Sequence, residues 1–503
     1  MAADDRIRHP GLAARVVQAE AAATLIDPGA SVGMSGFTAA GYPKAVPQAL
    51  AHRLAALHAA GQADARISLW TGASTAPELD GALAQAQGIS LRLPYQSDPT
   101  CRKQINEGRM LYTDIHLSHV PQLARYGSLG PLDWAVIEVV GILPDGRLIP
   151  STSVGNNKTW LDLAKRVILE VNLAQSPALE GLHDIQTGSD LPPHRQPIPL
   201  THPADRIGEP YLQCDPDKVA AVVITHQRDR HGAFDPPNAT SSAIAGHLVE
   251  FLRHEVTHQR LPADLLPLQS GVGNTANAVM AALVKAPFTN LTAFTEVLQD
   301  GMLDLLDAGK LQFVSAAALS LSAERAQAFI GRLDHYRKQV VLRPQGISNH
   351  PELIRRLGVI AMNGMIEADL YGNVNSTHIM GTRIMNGIGG SGDFARNAFL
   401  SIFMSPSTAK DGAISCIVPM VSHHDHTEHD VQVIVTEQGL ADLRGLAPTQ
   451  RAALVIERCA HPAYRDRLHD YLARARKEGG QHTPHLLGEA LGWHANYVRS
   501  GKM

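Results

Sequence analysis

The sequence predicts an α/β fold with mostly parallel sheets. Short runs of β-branched residues alternate with longer alanine- and leucine-rich runs along most of the 503 residues. Several of the short runs are continuously apolar, as expected for strands that are buried on both faces of a sheet. Glycine-containing turns join a strand pattern to a helix pattern at residues 31–50 and again at residues 265–283. This alternation is typical of helices that cover a parallel sheet.

The individual elements follow from the same patterns. Strands are predicted at residues 31–35, 67–70, 134–140, 167–171, 221–224, 264–268, 291–297, 311–315, 339–342, 413–418 and 431–436. Helices are predicted at residues 44–57, 239–258, 274–284 and 464–477. The proline-rich, polar segment 191–210 lacks an apolar period and predicts a boundary between an N-terminal domain, 1–215, and a C-terminal domain, 216–503. The two similar strand–glycine–helix units leave open whether these domains are duplicates.

The composition excludes several function classes. The chain has 44 Lys and Arg against 48 Asp and Glu, so it lacks the positive charge that drives phosphate-dominated binding to nucleic acid. Its four cysteines form no CxxC pair, which disfavours a zinc knuckle or redox dithiol and suits a reducing compartment. No stretch approaches the ~18 apolar residues of a membrane span, and the start lacks a signal-peptide pattern. We therefore expect a cytoplasmic protein without nucleic-acid or membrane partners.

Two glutamates follow apolar strands in similar contexts. Glu296 stands between Phe294 and Val297 in LTAFTEVLQDG, and Glu437 follows a strand and a threonine in VQVIVTEQGL. An ionised carboxylate in apolar surroundings is costly unless it is paired. Because sites in open α/β sheets gather at the carboxyl ends of strands, each glutamate is a candidate nucleophile or base. The pattern is also compatible with two separate surface acids, since spacing alone does not bring them together.

Glycine-rich turns and one asparagine provide candidate anion sites. The segment MNGIGGSGDF, 385–394, has four glycines in six positions, which lets backbone N–H groups approach an oxyanion or phosphate. The segment SGVGN, 270–274, lies between a strand and a helix, where amides point at an anion. A plain flexible turn is the alternative for the first segment. Asn349, just before a proline-initiated helix, is either a helix cap or an amide donor to a developing oxyanion.

One short segment is dense in possible metal ligands. The sequence SHHDHTEHD, 422–430, contains His423, His424, Asp425, His426, Glu428 and His429. It matches neither HExxH nor a zinc-deaminase signature. Metal sites usually recruit ligands from several elements, so the segment predicts a hydrogen-bonded structural turn, with a catalytic metal site as the alternative.

Long motifs in a fixed order run over almost the entire chain. They are GMSGFTAAGYPKAVPQALA, SVGNNKTWLDLA, CDPDKVAAVV, SGVGNTANAV, FTEVLQDG, ISNHPE, YGNVNSTH, GIGGSGDF and DHTEHDVQVIVTEQGLADLRG. Together they resemble the acetyl-CoA hydrolase/transferase family, most closely its bacterial succinyl-CoA:acetate CoA-transferase branch. The resemblance implies two similar α/β domains of the CoA-transferase type, an active site in the cleft between them, and a homodimer. The motifs are much less specific for the acyl group.

The resemblance also implies roles for particular side chains. The glutamate of the FTE motif, Glu296, is the implied nucleophile. Glu437 and an arginine near the domain junction are implied to line a small-carboxylate site. That arginine aligns with Arg230. Arg228, two residues earlier, is the other arginine at this place in the sequence. Asn349 is implied to serve in an oxyanion hole.

Backbone amides and CoA contacts are carried over in the same way. The amides of Val272 and Gly390 are implied to complete the oxyanion holes. The residues that match the family's CoA contacts are Gly271, Val272, Gly273, Asn274, Asn386, Gly390 and Lys410. In that family the DHTEHD segment has no metal role, so no metal and no permanently bound cofactor are expected.

The implied reaction moves CoA between a short acyl-CoA and a free carboxylate. The donors are succinyl-, acetyl- or propionyl-CoA and the acceptors acetate or succinate, so CoA is a substrate. The implied intermediates on Glu296 are an acyl-glutamyl anhydride and a glutamyl-CoA thioester. Three alternatives stay open: an acetyl-CoA hydrolase of the same fold, a metal-dependent hydrolase using the histidine cluster, and a non-catalytic CoA-binding module.

Overall fold

The chain folds into two compact units. The structure, a computed structural model, describes residues 5–186, 191–232 and 236–503. The first unit comprises Met1–Ala233, Phe294–Asp300 and Phe313–Leu353, and the second comprises Phe234–Ala293, Gly301–Gln312 and Ile354–Met503. The domain boundary predicted between residues 215 and 216 stays a prediction.

The first unit is built on an eight-stranded sheet. Seven strands lie in the order Leu111–Tyr112, Ile89–Leu93, Ile67–Trp70, Ser31–Met34, Trp134–Ile142, Arg166–Asn172 and Val219–Thr225. All of these neighbours pair in parallel, while Leu148–Pro150 pairs antiparallel with Trp134–Ile142. The central strands are buried on both faces, which explains their largely apolar sequences.

The second unit contains a similar parallel arrangement. Its strands lie in the order Leu291–Phe294, Leu268–Ser270, Ile360–Gly364, Leu400–Met404, Val433–Thr436 and Gly439–Asp442. The first five pair in parallel, and the last pairs antiparallel with its neighbour through a tight turn. The predicted mostly parallel α/β fold is therefore confirmed.

Further strands pair within each unit. In the first unit, Val297–Gln299 pairs in parallel with Ala318–Ser320, and residues 314–316 pair in parallel with Val340–Leu342. In the second unit the short strands are Glu367–Asp369, Val374–Asn375, His378–Ile379, Arg383–Ile384, Thr408–Ala409, Ile414–Ser415 and Ile417–Val418.

Helices alternate with the strands along the described chain. The α-helices are Pro10–Ala13, Ala19–Thr24, Ala45–Ala59, Ala82–Gln85, Pro99–Asn106, His119–Arg125, Asn157–Leu163, Ala239–Thr257, Asn274–Lys285, Asp300–Asp307, Ala323–Gly331, Leu333–Tyr336, Gln345–Ser348, Pro351–Leu357, Ser391–Asn397, Pro448–Cys459, Pro462–Glu478 and Gly492–Ser500. A π-helical turn covers Pro77–Gly81, and 3-10 turns cover Pro177–Leu179 and Pro216–Lys218. None of the helices in the described ranges is long and apolar enough to cross a membrane.

Three predicted strands differ from the structure. The strand predicted at 264–268 is wrong, because Leu265 closes a turn on Pro262 and pairing begins only at Leu268. The strand predicted at 413–418 is two short strands separated by Cys416. The strand predicted at 291–297 is interrupted after Phe294, which puts Glu296 in a bend rather than inside a strand.

Candidate active site

Glu296 occupies a bend between two strands of different ladders. Its carbonyl oxygen accepts hydrogen bonds from the Ala317 and Ala318 amides, at 2.8 and 3.2 Å. Ala317, Ala318 and the neighbouring Val297 belong to a buried apolar cluster with Phe37, Ala40, Ala73 and Leu117. The backbone is thus fixed at the point where the side chain leaves the sheet, and that side chain is half-buried.

Asn349 orients the Glu296 carboxylate. Asn349 is fully buried and lies between the helices Gln345–Ser348 and Pro351–Leu357 in the chain. Its backbone N–H donates to Gln345 O at 2.9 Å. Its Nδ2 donates to Glu296 Oε1 at 3.0 Å. Burial raises the pKa of Glu296 to about 7, and the hydrogen bond from Asn349 opposes part of that rise. A carboxylate of this kind is weakly solvated and held in one orientation.

The contact between these two side chains places a hydrogen-bond donor at one oxygen of the Glu296 carboxylate. Asn349 Nδ2 already lies at hydrogen-bond distance from a Glu296 oxygen that would carry negative charge if a nucleophile attacked the glutamyl carbonyl. Asn349 Oδ1 is buried and has no hydrogen-bond partner among the described residues. The side chain therefore bonds to Glu296 rather than capping a helix, which was the alternative role for an asparagine at this position.

Arg230 lies in the first unit, on the irregular segment that follows strand Val219–Thr225. Its Nη1 donates to Glu78 Oε1 at 2.9 Å, and its side chain is 57% exposed. Glu78 also accepts a hydrogen bond from Tyr42 Oη at 3.1 Å. Arg230 is thus oriented by one carboxylate, and more than half of its side chain is exposed to solvent.

A buried network of ion pairs holds Asp229, the residue before Arg230. Lys44 is fully buried and pairs with Glu138 at 2.5 Å and Asp229 at 2.8 Å. Burial acts against its charged form, but these two carboxylates raise the pKa of Lys44 overall. Asp229 also accepts from the Gly41 amide at 3.2 Å. Because Asp229 is held by interior groups, the backbone that carries Arg230 is fixed to the core of the first unit.

Glu437 lies in the second unit, in the tight turn after strand Val433–Thr436. Its Oε2 accepts from the Ser407 amide at 2.8 Å, and its Oε1 accepts from Ser407 Oγ and from Gln438 Nε2. Partial burial acts to raise the pKa of Glu437, but these donors lower it overall. Glu437 is therefore a fixed, ionised carboxylate, whereas Glu296 titrates near neutrality.

The first glycine loop joins strand Leu268–Ser270 to helix Asn274–Lys285. The amide of Gly271 donates to Met362 O at 3.0 Å, which holds the loop on the neighbouring strand. Gly273 has φ = 129°, a backbone conformation that residues with a Cβ rarely adopt. Val272 between them is 58% exposed, and its N–H forms no hydrogen bond within the described ranges. That N–H is available to an oxyanion.

The second glycine loop precedes helix Ser391–Asn397. Asn386 is half-buried at its start, and Gly389 has φ = 58°. The N–H of Gly390 forms no hydrogen bond in the part of the chain that the structure describes. Lys410 is exposed in the turn between strands Thr408–Ala409 and Ile414–Ser415. These residues and the first glycine loop all belong to the second unit, as does Glu437.

The histidine-rich segment supports the second glycine loop. His426 is buried, and its Nε2 lies 3.2 Å from both Ser391 Oγ and Ser376 Oγ. Asp425 accepts from the Ser376 amide at 2.7 Å and from Thr377 Oγ1 at 2.9 Å. Within the described ranges no group of three or more His, Cys, Asp or Glu side chains is placed to hold a metal ion. The segment joins the YGNVNSTH motif to the start of the helix that follows Gly390.

Sequence reasoning missed the residues that hold the candidate groups in place. Ser407 has no motif of its own, and only the structure shows that it bonds Glu437 through both backbone and side chain. Lys44 and Asp229 are likewise paired although they stand far apart in the sequence. The signal for Lys44 was present, since Glu138 lies within an apolar strand and needs a buried cation.

The strands and helices define an α/β protein with mostly parallel sheets, and comparison with known proteins gives its family. Residues 2–224 match the acetyl-CoA hydrolase/transferase N-terminal domain, and residues 326–472 match the C-terminal domain of the same family. The chain belongs to the acetyl-CoA hydrolase/transferase family, so the predicted family is confirmed.

Curated relatives match nearly the whole chain. A succinyl-CoA:acetate CoA-transferase of Clostridium kluyveri is 49% identical over 99% of this chain and 92% of its own length. A propanoyl-CoA:succinate CoA transferase of Escherichia coli is 47% identical over 96% of this chain and 98% of its own. An acetyl-CoA hydrolase of Schizosaccharomyces pombe is 46% identical over 94% of this chain and 92% of its own length.

Solved structures share the fold at low identity. A 4-hydroxybutyrate CoA-transferase from Porphyromonas gingivalis superposes with a TM-score of 0.62 at 21% identity, covering 92% of this chain and 98% of its own. RipA from Yersinia pestis gives a TM-score of 0.70 at 23% identity with the same coverage. These similarities concern the fold alone.

Proposed function

We propose that the protein is a CoA-transferase that moves CoA between a short acyl-CoA and a free carboxylate. Succinyl-, acetyl- and propionyl-CoA are the proposed donors, and acetate and succinate are the proposed acceptors. The observation that carries the proposal is Glu296, a weakly solvated carboxylate oriented by Asn349 at 3.0 Å. Two relatives with nearly half of their residues identical are named as CoA-transferases of this acyl range.

The first half-reaction forms an anhydride and then a thioester. The ionised Glu296 attacks the acyl-CoA carbonyl, the carbon–sulfur bond breaks, and CoA departs as the thiolate. An acyl-glutamyl anhydride remains on the enzyme. The thiolate, still bound, attacks the glutamyl carbonyl and expels the first carboxylate. Glutamyl-CoA thioester remains on the enzyme. No ATP is consumed because the overall reaction exchanges one acyl-CoA thioester for another of similar energy.

The second half-reaction runs these steps in reverse. An acceptor carboxylate attacks the glutamyl thioester, thiolate leaves, and a new anhydride forms. The thiolate then attacks the acyl carbonyl, which gives the new acyl-CoA and restores the Glu296 carboxylate. Oxyanions form on the glutamyl carbon and on the acyl carbon. Asn349 is the proposed donor to the glutamyl oxyanion, and the amides of Val272 and Gly390 are proposed for the oxyanion holes.

The acceptor must be selected over water. Arg230 and Glu437 are the proposed carboxylate-site residues, with the guanidinium as counter-ion and the fixed Glu437 as polar partner. Hydrolysis is the second candidate, because the Schizosaccharomyces pombe relative is named an acetyl-CoA hydrolase. Water that reached either acyl intermediate would give that outcome, so exclusion of water decides between the two activities.

Binding energy for the reaction is proposed to come from the CoA nucleotide, which lies far from the reacting carbon. Its proposed contacts are Gly271, Val272, Gly273, Asn274, Asn386, Gly390 and Lys410. The exposed lysine suits the CoA phosphates or the pantetheine arm. A cytoplasmic location and a homodimer complete the proposal.

Substitution of the nucleophile tests the proposal. Glu296→Gln keeps the size of the side chain and an acceptor for Asn349 but removes the attacking carboxylate, so transfer of CoA from succinyl-CoA to acetate should be abolished. Glu324→Gln, at an exposed glutamate of the same unit, is the matched control and should retain wild-type turnover. Substantial turnover by Glu296→Gln would contradict the covalent scheme.

The partition of products separates transferase from hydrolase. With acetyl-CoA and saturating succinate, the proposal expects succinyl-CoA to form much faster than free CoA thiol. If thiol release equals acetyl-CoA consumption at every succinate concentration, the protein is a hydrolase.

A further inference from the structure

The first unit contains a cavity that none of the proposed catalytic groups lines. Its volume is about 110 Å³, several times the ~10–15 Å³ that one water molecule needs. It lies among residues of the helices His119–Arg125 and Asn157–Leu163, the irregular stretch 195–198 and the segment 344–350. The cavity therefore has room for a small organic molecule or an inorganic anion.

The lining of this cavity is positive. Arg125, Lys158 and Arg195 contribute three cations, and no carboxylate stands among the described residues that line it. Arg125 pairs with Asp162 at 3.0 Å, and Lys158 pairs with the same aspartate. One aspartate shared by two cations leaves positive charge uncompensated, and Arg195 adds more. An anion is the ligand that this charge favours.

Polar groups at the cavity have unused hydrogen-bonding capacity. Asn156 is 2% exposed, and its Oδ1 has no partner within the described ranges; the same holds for the buried Nε of Arg125. Buried polar atoms are nearly always paired in folded proteins. A guanidinium N–H suits a carboxylate or phosphate oxygen, and the Asn156 acceptor suits a hydroxyl group on the same ligand.

The cavity shares a wall with the segment that carries Asn349. Pro344, Gly346 and Ile347 line it, while the next-but-one residue, Asn349, donates to Glu296 at 3.0 Å. The backbone N–H of Asn349 also donates a hydrogen bond to Gln345 O in this segment. The donor residue that contacts Glu296 therefore lies two residues from Ile347 on the wall of the cavity and is hydrogen-bonded to the short helix Gln345–Ser348.

We propose that this cavity binds a small hydroxylated carboxylate or phosphate anion, and that the bound anion changes the catalytic rate through Asn349. The binding site stands on the cavity and its charge alone. The effect on rate rests on the proposed function.

Binding is tested on the full chain without any acyl-CoA. Isothermal titration with malate and, separately, with inorganic phosphate should give one saturable site for at least one of them, and these arms distinguish a carboxylate from a phosphate ligand. Lys158→Gln should weaken that binding at least tenfold. Lys165→Gln is the matched control, because Lys165 also pairs with one aspartate, Asp133, but does not line the cavity; its affinity should stay within twofold of wild type.

Two further measurements separate this cavity from the substrate site. Arg230→Gln should bind the anion as wild type does, since the proposed carboxylate-substrate residue is not part of this cavity. In transfer assays the anion should change kcat in wild type and in Lys165→Gln but not in Lys158→Gln at the same concentration.

Two results would overturn the site. One is the absence of binding of both anions at about 10 mM, a concentration above the ~1 mM dissociation constant of a weak small-ligand site. The other is equal weakening of binding by Lys158→Gln and Lys165→Gln. Binding of the anion to an enzyme that shows no transfer activity would instead count against the proposed function alone.

Discussion

Replacement of Asn349 by alanine isolates the contact on which the proposed chemistry depends. Asn349 Nδ2 lies 3.0 Å from Glu296 Oε1. In the proposed mechanism this oxygen becomes an oxyanion when thiolate attacks the glutamyl carbonyl. Removal of one such donor typically costs about 2.7–4 kcal/mol, or about 100- to 1,000-fold in kcat. The same hydrogen bond lowers the pKa of Glu296, so its loss should also move the acidic limb of the pH–rate profile to higher pH.

Steady-state transfer from succinyl-CoA to acetate, measured between pH 5.5 and 9, reports both effects. Asn397→Ala is the control, because Asn397 Nδ2 bonds a helix carbonyl, Asp393 O at 2.8 Å, in the second unit. We expect Asn349→Ala to lose about 100-fold or more of kcat at its optimum, with KM for succinyl-CoA changed far less. A loss smaller than tenfold, with an unmoved acidic limb, would refute the reasoning.

Three further predictions concern the two glutamates. Because burial raises the pKa of Glu296 to about 7 and attack needs the ionised form, kcat/KM of wild type should rise with pH through about 7; a flat profile from pH 5.5 to 8 would contradict this. The pKa of Glu296 is higher in the folded protein than in the unfolded chain, so ionisation of Glu296 destabilises the folded protein. This destabilisation grows from pH 4.5 to 7 and is complete above pH 7, at up to ~3 kcal/mol. Glu296→Gln should therefore raise Tm relative to wild type more at pH 8 than at pH 5 by calorimetry, and an equal change at both would contradict the shift. The pKa of Glu437 is lowered in the folded protein, so the ionised Glu437 stabilises the fold above pH 4.5, and this stabilisation is lost as pH falls further. Glu437→Gln should therefore lower Tm more at pH 7 than at pH 3.5. The same substitution should raise KM for acetate.

Much of the fold was predictable because buried parallel strands leave a strong local pattern. The strands at Ile67–Trp70 and Trp134–Ile142 are mostly apolar, a pattern typical of strands that are buried on both faces of a sheet. The strand predicted around residue 264 failed because Pro262 initiates a turn that overrides the apolar run after it. Gly273 of the SGVGN motif has a backbone conformation that residues with a Cβ rarely adopt.

The sequence named the candidate site residues but not the residues that hold them in place. Glu296 and Asn349 stand in separate motifs, and only the folded chain shows the hydrogen bond that joins them. The partner of Glu437, Ser407, lies 30 positions away in a stretch with no distinctive pattern. Long-range pairs of this kind depend on how the strands are ordered, which the spacing of residues along a chain does not encode.

Trapping of the enzyme-bound thioester tests the central claim most directly. Wild-type protein is incubated with succinyl-CoA and no acceptor, quenched in acid and analysed by intact mass, then digested to locate any adduct. The account predicts a mass gain equal to CoA less one water, on the peptide that contains Glu296, and no such gain in Glu296→Gln. Active enzyme that shows only unmodified mass, or an adduct on another peptide, would contradict it.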